Sequence, residues 1–114
     1  MRSAFWAVAT LGVVLGGSTP VPVAADTSEV DTAHTVHIKD FAFVPKRLRI
    51  RRGETVRFVN GDDEAHTVTA VDKSFDSAGL DSDRSWDHVF AKAGTYEYFC
   101  ELHPYMKGTI EVTR

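Results

Sequence analysis

The chain has 114 residues, with 13 Lys and Arg against 16 Asp and Glu, a formal net charge of −3 at pH 7, and a single Cys. That length allows one domain, the slight acidic excess argues against nucleic acid or an anionic membrane surface as a partner, and a lone Cys rules out an internal disulfide. A small domain without that staple commonly leans on a bound metal.

Taken in chain order, Arg2 precedes a run of apolar and small residues from Ala4 to Gly17, interrupted only by Thr10. Pro20 and Pro22 then stop any helix, and Val23-Ala24-Ala25 suits a signal peptidase. These features predict a secretory signal peptide over residues 1–25, cleaved before Asp26, and an exported protein in the periplasm or another extracytoplasmic space. A retained anchor is the competing reading, although the run is short for a bilayer span. No Cys lies near the cleavage point for lipid attachment, and Arg2 stands alone, so there is no twin-arginine signal. Residues 26–33 read as a flexible polar tail, and 34–114 as the folded domain, monomeric and without stable membrane association once the leader is removed.

From His34 onward the pattern repeats every two residues. Val36 and Ile38 alternate with His37 and Lys39, and Leu48 and Ile50 with Arg47, Arg49 and Arg51. The same period returns at Val56 and Phe58, at Val68 and Ala70, and at Trp86, His88 and Phe90. Tyr96, Tyr98 and Cys100 share one face, and Ile110 and Val112 close the chain. Turn signals fall between these runs at Pro45, Gly53, Asn60-Gly61, Gly79 and Gly94. Residues 72–84 are the least regular and read as a connecting loop with room for one helical turn. Seven or eight short half-buried strands imply an all-β antiparallel sandwich or barrel. An immunoglobulin-type disulfide core is excluded, since it needs two Cys.

Two charged stretches and three His have plain readings. Arg47, Arg49 and Arg51 line the outer face of a strand and discourage edge pairing. Asp62, Asp63 and Glu64 are either a solvated turn or a steering patch for a basic partner. His34 and His37 are expected at the surface, with a weak second metal site as a minor reading, and His88 is expected to be partly buried and hydrogen-bonded.

The chemistry concentrates in Cys100-Glu101-Leu102-His103-Pro104-Tyr105-Met106, which sets a thiol, an imidazole and a thioether three residues apart in a tight loop. Thiolate, imidazole and a weak axial thioether form the ligand set that suits copper cycling between Cu(I) and Cu(II). A second imidazole must come from elsewhere. His66, opening the run His66-Thr67-Val68-Thr69-Ala70 after the Asn60–Ala65 turn, is the natural supplier.

The Cys-x-x-His-x-x-Met run, preceded by Gly94-Thr95-Tyr96-Glu97-Tyr98-Phe99, resembles the cupredoxin family, and its short loop is most similar to that of the amicyanins. Plastocyanins and pseudoazurins are similar but have a longer His-to-Met spacing. The resemblance runs over about residues 34 to 114, through Phe41-Ala42-Phe43-Val44-Pro45, Gly53-Glu54-Thr55-Val56 and Ala65-His66-Thr67-Val68. It implies a Greek-key β-sandwich with one type 1 copper near one end, His66, Cys100 and His103 as equatorial ligands and Met106 as the axial one. Where the family usually has Asn after the first His, this chain has Thr67, whose hydroxyl is able to make a similar bond between the ligand loops. Pro104 has no N–H to offer the Cys100 sulfur.

Such a site has no open coordination position, so it implies one-electron transfer and not enzymatic turnover. Redox proteins of unknown identity would dock on the apolar surface around His103, with Leu102, Pro104, Tyr105 and Ala65. A copper carrier or metallochaperone with the same ligands is the alternative. A cysteine hydrolase built on Cys100 is the weakest reading, because no nucleophile motif surrounds that residue.

Overall fold

The structure, a computed structural model, describes residues 33–114. The expected signal segment 1–25 and residues 26–32 of the expected tail lie outside the described residues. Eight strands follow one another: β1 Ala33–Ile38, β2 Phe43–Val44, β3 Arg47–Arg51, β4 Thr55–Asn60, β5 Thr69–Ala70, β6 Ser85–Val89, β7 Gly94–Phe99 and β8 Lys107–Thr113. They form two four-stranded sheets in the orders β2-β1-β4-β6 and β3-β8-β7-β5. The all-β sandwich expected from the period-two pattern is what the chain adopts, with no helix among the described residues.

Two details differ from the sequence expectation. The sandwich is not wholly antiparallel: β1 lies parallel to β4, and β3 parallel to β8. A two-residue hairpin forces antiparallel order, but β4 reaches β1 only after the chain has crossed to the other sheet as β3. The second difference is the 72–84 segment, which makes no helical turn. It folds back on the run after His66 through isolated bridges His66–Leu80 and Thr69–Asp76. Phe75 and Leu80 from this segment are buried and close one flank of the core.

Inward positions of both sheets supply the core: Val36, Ile38, Val56 and Phe58 from one, Tyr98, Ile110 and Val112 from the other. Burying each such side chain contributes roughly 1.5–3 kcal/mol before entropy is counted. Tyr98 is the largest of the fully buried side chains and meets Phe43 and Phe58 edge-on, with ring centroids 4.7 and 5.5 Å apart. Its cross-strand partner is Gly108. A Cβ there would collide with the Tyr98 ring, so a residue without a side chain is required.

The outward Arg47, Arg49 and Arg51 do lie on an edge strand, β3, as a solvated face. Arg49 bonds across the ladder to Glu111 at 3.3 Å. On β1, His34 is half-buried and 2.9 Å from Glu54, whereas His37 is exposed. Residues three apart on a strand face opposite sides, so these two imidazoles cannot share an ion. His88 is half-buried as expected, but its ring has no hydrogen-bond partner among the described residues. It stacks on Trp86 at 5.3 Å and packs against Phe75 and Phe90 at 4.8 and 4.7 Å.

Candidate metal centre

Three donors converge at one end of the sandwich. Cys100 follows directly on β7, and its sulfur lies 3.7 Å from Nδ1 of His66 and 3.7 Å from Nδ1 of His103. The donor atoms of all three residues fall within 4.8 Å of one another, and the arrangement could hold a metal ion. The spacing suits a shared ion. Bonds of about 2.0 Å from nitrogen and about 2.3 Å from sulfur to one ion, at a trigonal angle, would put a nitrogen and a sulfur about 3.7 Å apart.

Backbone hydrogen bonds shape the loop that carries His103. His103 N–H donates to the Cys100 carbonyl at 3.2 Å, Met106 N–H to the His103 carbonyl at 2.8 Å, and Cys100 N–H to the Met106 carbonyl at 3.1 Å. These bonds close residues 100–106 on themselves, which explains how so short a spacing brings thiol and imidazole together. Met106 is buried in the core cluster at the end of this loop.

His66 arrives from the other side. The Asn60 side chain, fully buried, donates to the carbonyls of Glu64 and Leu80 at 2.8 and 2.9 Å and accepts from Asp62 N–H at 2.9 Å. This folds the Asn60–Ala65 turn and delivers His66, itself fully buried. Asp62, unlike its acidic neighbours Asp63 and Glu64, is neither a solvated nor a steering group. It is 8 % exposed and sits 2.9 Å from His66 Nε2, while Asp40 and Phe41 donate their N–H groups to it at 2.7 and 2.9 Å. Burial alone would push its carboxyl up, but those two N–H groups and the His66 imidazole prevail and hold it below the ordinary carboxylate value. A carboxylate accepting from Nε2 leaves the His66 lone pair on Nδ1, the atom that faces Cys100.

Thr67 ties the two loops together as its position after His66 suggested. Its N–H donates to the Cys100 sulfur at 3.3 Å, and its hydroxyl oxygen accepts Glu101 N–H at 2.8 Å. With that N–H and the Val68 N–H, which donates to Ser77 Oγ at 2.8 Å, both spent on side chains, the ladder begins only at Thr69. This is why β5 is two residues long and not the longer strand that the His66–Ala70 run suggested.

Around the half-buried His103, Leu102 and Tyr105 are 56 % and 67 % exposed, and Pro104 is exposed. Sequence reasoning missed one member of this surface. Phe41 meets the rings of both His66 and His103 edge-on, with centroids 5.2 and 5.1 Å apart. No periodicity marked it, because it lies in the loop between β1 and β2.

This fold and these donors define a cupredoxin, and comparison with known proteins agrees. Residues 7–112 match the model of the cupredoxin-like domain, and the chain belongs to that family. It is 33% identical over 96 residues to amicyanin of Paracoccus versutus, covering 80% of this chain and 72% of that one. A Cu(I) form of an amicyanin variant superposes with a TM-score of 0.68 at 28% identity, over 72% of this chain and 83% of that one. The purple cupredoxin of Nitrosopumilus maritimus superposes with a TM-score of 0.66 at 26% identity, over 70% of this chain and 99% of that one.

Proposed function

We propose that this chain holds one copper ion through His66, Cys100, His103 and Met106 and works as a one-electron carrier. The observation that carries this reading is the convergence of both His Nδ1 atoms on the Cys100 sulfur at 3.7 Å. Met106 would be the fourth donor, from its place three residues after His103. Copper in such a set supplies a Cu(I)/Cu(II) couple, in keeping with the copper(I) amicyanin among the relatives. Four protein donors leave no position for a substrate, so the site is not an enzyme's.

The residues around the donors do the rest. Cys100 and His66 have no exposed surface, so water and competing ligands are kept from two of the donors. A metallochaperone needs accessible, exchangeable donors, and that burial favours the electron carrier. His103 is the least buried of the three donors that converge, and it would carry the electron to partners docking on the apolar surface of Phe41, Leu102, Pro104 and Tyr105. Such an interface is small and transient. Asp63 and Glu64, both exposed, remain to steer a basic partner, whereas Asp62 is committed to His66.

We also retain export by a signal peptide over residues 1–25, a tail over 26–33 and a monomeric domain over 34–114 as part of this proposal. Titration with Cu(II) followed by voltammetry tests the functional reading. One equivalent bound per chain with a reversible one-electron wave is the expected result; weak binding of several ions, or no reversible wave, contradicts it.

A further inference from the structure

We propose that Phe41 is a positioning residue of this metal centre, held across the imidazoles of His66 and His103 by a backbone kink that the Asp62 carboxylate fixes; the proposal rests on the copper reading above. The kink is the two-residue turn of the β1–β2 hairpin, with an unusual occupant. Asp40 and Phe41 have φ of 53° and 58°; a two-residue hairpin turn of this kind needs positive φ at both positions and favours Asn-Gly or Asp-Gly, so a bulky aromatic at the second position is the strained choice. Strain of this kind persists only where its surroundings impose it, and it gathers at functional sites.

The surroundings here are specific. Consecutive N–H groups turned to one side make a small anion-binding concavity, and the anion is a side chain of the same protein. Asp40 N–H donates to Asp62 Oδ1 at 2.7 Å, and Phe41 N–H to Asp62 Oδ2 at 2.9 Å. Paired backbone bonds between Lys39 and Ala42, at 2.9 and 3.1 Å, close the turn on both sides. The same Oδ2 atom lies 2.9 Å from His66 Nε2. One oxygen therefore fixes both an imidazole and the backbone of the ring that lies against it.

What the kink achieves is the placement of an aromatic outside the core. Phe43, two residues on, is buried, but Phe41 is 37 % exposed. Its ring stands at 90° to His66 and 83° to His103, the edge-to-face arrangement aromatic rings prefer. The two imidazoles are themselves 4.9 Å apart, so a single ring touches both. It restrains their planes and covers the side on which water would otherwise reach the half-buried His103.

The experiment loads the wild-type chain, Phe41→Ala, Phe41→Tyr, Asp62→Asn and the Phe41→Ala/Asp62→Asn double variant with copper. It then records the visible and electron paramagnetic resonance spectra and the rate at which excess bicinchoninate withdraws Cu(I). Phe41→Ala is expected to release copper about ten-fold faster or more, the scale of losing an outer partner of a metal ligand, with altered copper hyperfine splitting. Phe41→Tyr should restore both. Because Asp62 acts partly through Phe41, the double variant should fall short of the product of the two single effects. Wild-type release and spectra in Phe41→Ala, or fully multiplicative effects in the double variant, overturn the proposal. Should the wild-type chain bind no copper, the functional reading fails separately. Nuclear Overhauser contacts from the Phe41 ring to both imidazoles in the metal-free protein then decide the placement, and their absence overturns it.

Discussion

At the scale of single residues, two features carry consequences that can be measured. The Tyr98 hydroxyl is buried and finds no hydrogen-bond partner among the described residues, and burial drives its ionisation far above the ordinary phenol value. An unsatisfied buried hydroxyl costs on the order of 1–3 kcal/mol. Tyr98→Phe should therefore leave stability unchanged or raise it by about 1 kcal/mol in a denaturant titration, and a clear loss would show that the hydroxyl has a partner. Gly108→Ala should cost about 1–3 kcal/mol, because the added Cβ would overlap the ring of the buried Tyr98. Thr67 supplies the second test. Thr67→Val keeps the N–H that reaches the Cys100 sulfur but loses the oxygen that accepts Glu101 N–H. It should destabilise the protein by roughly 1 kcal/mol, while Thr67→Asn, which restores an acceptor, should recover most of the loss. Equal stability of the Val and Asn variants would mean that the bond between the loops contributes nothing.

At the scale of elements, β6 and the 72–84 segment act as one unit. Trp86 and His88 on the strand pack with Phe75 from the segment and Phe90 just past the strand end. His88 is desolvated there, which lowers its pKa from 6.5. The unfolded chain then takes up the proton more readily than the folded one. This contribution to stability is complete above about pH 6.5, the ordinary His value, and is lost as the pH falls through the lowered value in the folded protein. His88→Phe should flatten the dependence of unfolding free energy on pH below that point, measured against wild type in the same metal state. An identical slope in both proteins would place the titrating group elsewhere. The edge strand β3 illustrates the opposite economy. Its Arg47, Arg49 and Arg51 face solvent, and their main effect is to keep a second sheet edge from adding to this one.

At the scale of the whole molecule, the sandwich was legible because period-two alternation needs only half-buried strands to express it. The pairing of those strands was not, since the parallel β1–β4 and β3–β8 ladders arise from crossovers between sheets that no local pattern encodes. The same division runs through the site. Cys100 and His103 come together within one seven-residue loop, so their spacing could be read directly. His66 could be inferred only from the need for a second imidazole and from the family resemblance, and the fold brings its Nδ1 to 3.7 Å from the sulfur. Asp62 looked like one of three surface acids, because the fold alone turns it inward to His66 and to the kink at Asp40 and Phe41. Phe41 stood within a run that resembles the family, but nothing in that run placed its ring against the two imidazoles, for its position depends on that kink. Together these groups enclose the Cys100 sulfur and the His66 imidazole at one end of the sandwich, with the less buried His103 beside its exposed neighbours. Replacing exposed Leu102 or Tyr105 with Lys should slow electron exchange with a redox partner without changing copper content, and an unaffected rate would move the docking surface elsewhere. The most direct test of the whole account is the visible spectrum of the copper-loaded chain. An intense thiolate-to-copper band at roughly 600 nm, as this ligand set implies, that disappears in Cys100→Ser is the predicted result. A copper-loaded protein with no such band, or one that keeps it without Cys100, would contradict the account.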